Sequence, residues 1–453
     1  MKRFFIVALS LSFLLGGAIK ANAEGYQINS QSARQLGMGY TGVALKLGAE
    51  SMNYNPAGMA YMNTKFNFSF GGTGVFSKVK YTKDDYSAKT DNPVGTPFFV
   101  YMGYKPSKNL AVGVSINNPV GNSLKWPSNW RGATLIEDIK LKGFSVQPTV
   151  SYKFGDIVSV GAGLMIDFGS FSLSRALLPV RGLDQIAVLV PSLKPAIESF
   201  KGQVPVSVNL SGRSKIGLGY NVGVLVNVSP KVSIGASYRS KVMFNVSGGE
   251  AELSYANEQV KQVINTINSV KPGTVPIPPL EDGSFEASLP APANFNIGLA
   301  YKPLKNLTLS AELQYVGWKA YDTLTVQFDE RVLQGYSIKA PKSYKNTMIY
   351  RLGCEYILSS LTILRLGAYY DTTPVQEDLY NPETPGSNKF CITAGASFKP
   401  LKYMSIDLGL GYLNGAKTYG SYPMPSTVNS SAVFDGNYKA SAFMASLGLN
   451  FSF

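Results

Sequence analysis

From Ala440 to the end of the chain the residues alternate: Phe443, Ala445, Leu447, Leu449, Phe451 and Phe453 fall on one face, and Met444, Ser446, Gly448, Asn450 and Ser452 on the other. A period of two belongs to a strand with one face in an apolar medium. A half-buried strand of a water-soluble protein alternates too, so one strand decides little. The pattern recurs near 66–78, 96–104, 109–118, 143–154, 157–172, 216–228, 231–247, 292–302, 306–320, 344–357, 361–371, 388–398, 402–413 and 440–453. That makes fourteen strands, and a closed single-chain bacterial barrel requires an even number.

The connections after the even-numbered strands are tight: Lys105-Pro106-Ser107-Lys108, Gly155-Asp156, Ser229-Pro230, Pro303-Leu304-Lys305, Leu358-Ser359-Ser360 and Lys399-Pro400-Leu401. Those after the odd strands are longer, the longest being 173–215 and 248–291. Short turns at one end and long loops at the other are the periplasmic and extracellular ends of an outer-membrane barrel, which puts both termini in the periplasm. Parity then assigns faces. In the fifth strand Val160, Ala162, Leu164, Ile166 and Phe168 point to lipid, leaving Gly161, Gly163 and Asp167 inside. In the seventh, Val232, Ile234, Ala236, Tyr238, Val242 and Phe244 point out, leaving Arg239 and Lys241 inside. In the tenth, Met348, Tyr350, Leu352 and Tyr356 point out, with Lys345, Arg351 and Glu355 inside; Arg365 and Asp371 of the eleventh point inward. Charge is costly on a lipid face, so its confinement to the lumen supports this register.

Composition agrees with a barrel. Charged residues are 15%, against about 25% in an average soluble domain, while Gly, Tyr and Phe are abundant and the mean hydropathy is +0.02. Lys2 and Arg3, the apolar run Phe4–Ala18 and Ala21-Asn22-Ala23 predict a signal peptide over 1–23, with the mature chain starting at Glu24. Removing Lys2, Arg3 and Lys20 takes the formal charge from +14 to +11 (14 − 3). The run is too short to span a bilayer as a helix, and no other stretch is long enough. Lys and Arg are scattered rather than clustered with aromatics, so nucleic acid is not an expected partner.

The chain has no histidine, which excludes a Ser-His-Asp triad, a Cys-His pair and a His-ligated zinc. Cys354 and Cys391 fall on non-adjacent strands with opposite parity, which argues against a disulfide. No catalytic constellation, metal site or cofactor is expected. Passage of solutes, adhesion and structure remain.

The stretch 24–63 separates these. It is Gly- and Asn-rich, holds Gly37-Met38-Gly39, Gly42 and Asn53-Tyr54-Asn55-Pro56-Ala57-Gly58, and suits a compact irregular fold; a disordered segment would carry more charge and fewer apolar residues. These residues resemble the FadL/TodX family of outer-membrane hydrocarbon transporters. The resemblance continues through Gly113–Gly121, Tyr238-Arg239-Ser240-Lys241, Leu313-Gln314-Tyr315 with Trp318, Tyr344-Lys345-Asn346, and Asp371 with Pro374-Val375, in order along the mature chain.

The resemblance implies an all-β, 14-stranded antiparallel transmembrane β-barrel over 64–453, plugged by an N-terminal hatch at 24–63 to which Asn55, Pro56 and Ala57 belong. It implies a kinked third strand that opens the wall at Asn117, Asn118, Pro119 and Gly121; without the resemblance, a Pro-Gly stretch would simply end the strand. It implies a capture groove built from Leu177, Leu178, Leu183, Ile186, Val190, Leu193 and Ile197 with Val260, Val263, Ile264 and Ile267, although such a stripe can also pack loop on loop. Arg175 and Lys345 match best the basic positions that hold a ligand's head in the lumen.

The implied function is passive outer-membrane transport of hydrophobic small molecules, long-chain fatty acids or related hydrocarbons, by loop capture, luminal binding, hatch movement and lateral exit. A general diffusion porin or a surface adhesin is the alternative. The expected setting is the outer membrane of a Gram-negative bacterium, as a monomer. The expected partners are the hydrophobic ligand, the lipid bilayer, lipopolysaccharide and the barrel assembly machinery.

Overall fold

The computed structural model describes residues 25–453 apart from 181, 185–187, 189, 190, 201, 271–274, 276 and 425–431; the expected signal peptide lies outside the described residues. Fourteen antiparallel strands form the wall: β1 Phe66–Lys83, β2 Phe98–Tyr104, β3 Leu110–Asn117, β4 Asp138–Phe154, β5 Val158–Ala176, β6 Gly217–Ser229, β7 Val232–Arg239, β8 Asn294–Leu304, β9 Leu307–Val316, β10 Thr347–Ile357, β11 Thr362–Asp371, β12 Lys389–Leu401, β13 Met404–Gly415 and β14 Val433–Ser452. Each pairs with its neighbours in the chain, and β1 pairs with β14 from Asn67–Ser452 to Thr82–Asn437. Pairing the first strand with the last closes the sheet on itself, as the hydrocarbon of a bilayer demands.

The faces follow the alternation. Val160, Leu164 and Phe168 are exposed on the outside, while Asp167 is buried inside. Several strands outgrow the bilayer, and here the alternation was silent. β5 continues to Ala176, and much of the long connections is strand (Val206–Arg213, Val242–Tyr255 and Asp282–Ala291). Above the membrane the outer face meets water, so residues such as Ser170, Ser172 and Ser174 carry no apolar signal. The seventh strand also needs correction. Regular pairing stops after Arg239. Ser240 is an irregular residue whose N–H donates to the Tyr220 carbonyl. Parity shifts across it, so Lys241 is exposed while Val242 and Phe244 are buried inside.

Residues 25–62 lie against the inner wall all the way round. This segment is built from short turns of helix, Ala33–Leu36, Gly48–Glu50, Ser51–Tyr54 and Pro56–Tyr61, joined by tight bends. Its polar backbone groups are met by wall side chains. The Ala49 N–H donates to Asn67 of β1 (2.6 Å) and the Gly39 N–H to Thr393 of β12 (3.0 Å); Tyr101 of β2 donates to the Gln31 carbonyl (2.9 Å), and Ser237 of β7 to the Tyr54 carbonyl (2.9 Å). Glu312 of β9 accepts from both the Gly42 and Val43 N–H (2.8 and 2.9 Å) while Arg351 of β10 pairs with its other oxygen at 3.3 Å. Bonds to a charged acceptor contribute about 1.5–3 kcal/mol each.

Close approach is made possible by glycine. Cross-strand pairs Gly103–Gly113, Gly161–Gly223, Gly235–Gly298, Gly353–Gly367 and Gly395–Gly409 face the segment from successive parts of the wall. A Cβ on Gly235 would stand 2.0 Å from the Val43 oxygen, and one on Gly367 would stand 2.1 Å from the Gly39 nitrogen. Both neighbours are backbone and cannot swing aside. Gly367→Val is therefore expected to unseat the segment locally at a cost of about 1–3 kcal/mol, read as a lower unfolding temperature and faster protease cleavage within 25–62. Gly335→Val, at a position with no neighbour within 4 Å, should change neither.

Candidate functional site

β3 pairs with β2 only as far as Asn117–Phe99. Beyond it Asn118 and Pro119 break the ladder; Pro119 has no N–H to offer. The chain then turns toward the N-terminal segment. The Ile28 N–H donates to the Pro119 carbonyl (3.0 Å) and the Gly121 N–H to the Tyr26 carbonyl (2.9 Å), which makes Gln27–Val120 an antiparallel bridge. Asn118 fixes the break: its amide donates to Gly143 (2.9 Å), its side-chain oxygen accepts from the Phe98 N–H (2.9 Å), and its carbonyl accepts from Gln31 (2.5 Å). Residues 121–125 then pair with β4 but not with β2. The wall closes again at Asp91 and Lys125, whose backbones bond at 2.8 Å. Between these two points the wall has a window.

A cavity of ≈ 650 Å³ runs to that window. Ser30 and Tyr40 of the N-terminal segment, with Tyr369, Leu413 and Met444 of the wall, line its luminal part; Val75, Phe98, Gly121 and Phe144 line its mouth. Ile28 and Asn118 lie between. Below it sits a small polar chamber of ≈ 90 Å³ beside Asn53, Arg239, Glu312 and Arg351. At the periplasmic end a further cavity of ≈ 640 Å³ touches Arg34, Met38 and Lys46 on the other side of the N-terminal segment. The segment thus separates the space open to the window from the space open to the periplasm.

Asn55, Pro56 and Ala57 are buried at the start of the segment's last helical turn. Asn55 is fully buried; its amide donates to the Val43 and Val224 carbonyls (2.7 and 2.9 Å) and its oxygen accepts from the Ala57 N–H (3.1 Å). The Ala57 carbonyl accepts from both Ser151 and Ser159.

The helical spacing of Val260, Val263, Ile264 and Ile267 corresponds to the helix Glu258–Val270. Leu178, Leu183 and Ile197 pack with Val260, Val263, Ile264 and Ile267 into one buried cluster, with Leu177 and Leu193 at its margin. Loop packs on loop there. Ile186 and Val190 lie outside the described residues.

Arg175 points inward near the top of β5, and its buried Nε has no hydrogen-bond partner among the described residues. Lys345 requires correction as a luminal cation. β10 begins only at Thr347, and Lys345 stands before it, exposed, with its N–H tied to the Pro374 carbonyl. The buried lysine of this region is Lys342, paired with Glu383 and flanked by Tyr321 and Tyr422 at 6.0 and 5.9 Å. Burial pushes its ammonium below the ordinary lysine range, and Glu383 pulls back the other way.

Sequence reasoning also missed a buried aromatic cluster that the N-terminal segment shares with the connections. Tyr26 packs edge-on against Trp318 (5.1 Å) and Tyr321 (5.5 Å), and Trp126 stacks on Trp130 at 4.1 Å while donating to the Pro382 carbonyl. Trp126 and Trp130 stand in a connection in the sequence, whereas the alternation places Trp318 in the ninth strand, which the structure ends at Val316.

Removing one member of the buried pair leaves an uncompensated charge. Lys342→Met should cost about 3–5 kcal/mol, whereas Lys342→Met with Glu383→Met should be close to neutral; thermal unfolding of the three proteins checks this.

The sequence profile of the family described as outer membrane protein transport protein (OMPP1/FadL/TodX) matches residues 14–453. Outer membrane protein P1 of Haemophilus influenzae is 23% identical over 488 residues, covering 100% of both chains. A long-chain fatty acid transport protein of Salmonella typhi is 21% identical over 407 residues, 87% of this chain and 88% of that one. Among solved structures, a Pseudomonas aeruginosa FadL homologue matches with a TM-score of 0.78 at 19% identity, covering 95% of this chain and 100% of the other. The Pseudomonas putida toluene transporter TodX gives 0.69 at 17% identity over 95% and 100%. The chain belongs to the OMPP1/FadL/TodX family of outer-membrane transporters of hydrophobic compounds, and it is a transport channel rather than an enzyme.

Proposed function

We propose that this barrel passively takes up long-chain fatty acids or related hydrocarbons, that residues 24–63 act as its hatch, and that ligand leaves sideways through the window beside Asn117, Asn118, Pro119 and Gly121. The observation that carries the reading is the bridge between Gln27 and Val120, at the point where the cavity meets the window. One contact joins the segment that blocks the lumen to the break that opens the wall. Movement of either is felt by the other.

In this reading, ligand first meets the apolar loop cluster around Leu178, Leu183, Val260 and Ile264, then reaches the ≈ 650 Å³ cavity. That volume lies within the range that drug-sized ligands occupy, roughly 300–1,000 Å³. A carboxylate head finds a hydrogen-bond donor in Arg175, whose buried Nε has no hydrogen-bond partner among the described residues. Leaving through the wall spares an alkyl chain the aqueous periplasm. The names of the relatives span fatty acid and toluene transport, so both ligand classes enter the test. A general porin fits poorly, because a segment lies across the lumen between two cavities.

The test is a reversible lock. The backbone bonds flank Gln27–Val120 rather than join it, so the two Cα atoms stand in the closer kind of antiparallel pair, about 4.5 Å apart, within reach of a disulfide. Gln27→Cys with Val120→Cys, in a Cys354→Ser, Cys391→Ser background, should take up labelled oleate or toluene normally when reduced. Oxidation should lower uptake to that of cells without the barrel, and reductant should restore it. Uptake unaffected by a fully formed cross-link sinks the coupled hatch and window.

A further inference from the structure

The outer surface beside the window carries an arrangement that barrel closure does not explain. On β1 the outward residues run from Phe66 to Phe76, then change to Lys78 and Lys80, both exposed. Ten residues at about 3.3 Å each, tilted by about 40°, rise about 25 Å, the height of the apolar band of such barrels. β14 repeats the sequence from Phe453 to Phe443 and then Lys439; β4 repeats it from Phe154 to Phe144 and then Lys142 and Lys140. These lysines therefore stand just above the hydrocarbon, at the height of the outer-leaflet headgroups.

The register sets like charges side by side. Lys80 lies directly opposite Lys439 on one side and Lys89 of the short strand Tyr86–Lys89 on the other. Side chains in such a row are about 4.5–5.5 Å apart at Cβ, and like charges there repel. Among the described residues Lys78, Lys80, Lys89, Lys439 and Lys142 have no ion pair; Lys140 has Asp138 at 3.4 Å, and Asp435 is taken by Lys83. Along β9, β11 and β13 the positions that follow the outward apolar run are Gly317, Thr372 and Asn414, none of them basic. Lys78, Lys140 and Lys142 border the cavity that opens at the window.

We infer that this patch binds the phosphate groups of an outer-leaflet glycolipid, seating it against the wall beside the window. Charge and level both select that occupant. Phosphates meet the lysine row, while acyl chains descend over Phe76 and Phe443, whose rings are 6.3 Å apart, and over Phe98 and Phe144, 6.2 Å apart. A lipid held there covers the outer mouth of the window from the outer leaflet. The inference needs only the outer-membrane location, whatever the barrel carries.

The test uses the full-length protein in mild detergent, with bisphosphorylated lipid A and the same glycolipid enzymatically dephosphorylated as probes, and native mass spectrometry as the readout. Wild type should retain the phosphorylated form in preference. At roughly fivefold per lysine, Lys78→Gln with Lys80→Gln and Lys439→Gln should weaken its binding about a hundredfold. Heat-modifiable gel mobility reports whether that variant is folded; Lys231→Gln with Lys305→Gln, in the periplasmic turns, should bind as wild type. Equal retention of both probes, unchanged binding by the folded triple variant, an equal loss in the periplasmic variant, or displacement by equimolar inorganic phosphate would each overturn the inference.

Discussion

The backbone of residues 33–62 touches the barrel wall directly, and it does so because glycine stands at the wall positions it meets. Two backbones approach this closely only where no Cβ intervenes. Gly235 against Val43 and Gly367 against Gly39 are the tightest such contacts. Around them, wall side chains such as Glu312, Thr393 and Asn67 supply the hydrogen bonds that an irregular buried segment cannot make to itself. The abundance of glycine, the polar inner face and the irregular N-terminal stretch answer one requirement. A wall lined with larger side chains would leave a water-filled bore and no seat.

The window depends on the same segment. Once β3 breaks at Asn118-Pro119, the backbone groups of 119–121 lose β2 as partner, and Tyr26 and Ile28 replace it. The break is therefore stable inside the barrel only while the segment is present to satisfy it. Tyr26, fixed between Trp318 and Tyr321 with its hydroxyl on the Pro290 carbonyl, ties that same stretch to a buried aromatic cluster. The seated segment and the break in β3 thus meet in one strip of chain.

Much of the wall was legible in the sequence, because a strand facing lipid must alternate and charge must hide inside; Asp167, Arg351 and Arg365 all obey. Legibility failed where the outside medium changed from lipid to water. There β5 runs on unannounced to Ala176, and Ser240 shifts the parity so that Val242 and Phe244 turn in. Lys345 misled because strand parity was extended past Thr347, where the strand begins. The stripe Val260, Val263, Ile264, Ile267 announced a helix correctly, and its spacing left open what covers it; the structure packs it against Leu178, Leu183 and Ile197 of the connection 173–215. The glycine seat was illegible for a different reason. Gly235 and Gly367 look like any small residue of a polar lumen until their partners, Val43 and Gly39, hundreds of positions away, are known.

The central claim is that residues 24–63 close a barrel that is otherwise open. Planar-bilayer conductance of the full chain against a chain in which these residues are deleted from the mature N-terminus tests it most directly. The account predicts a nearly silent full-length protein and a steady, large ion conductance after deletion. Equal conductance from both would contradict it.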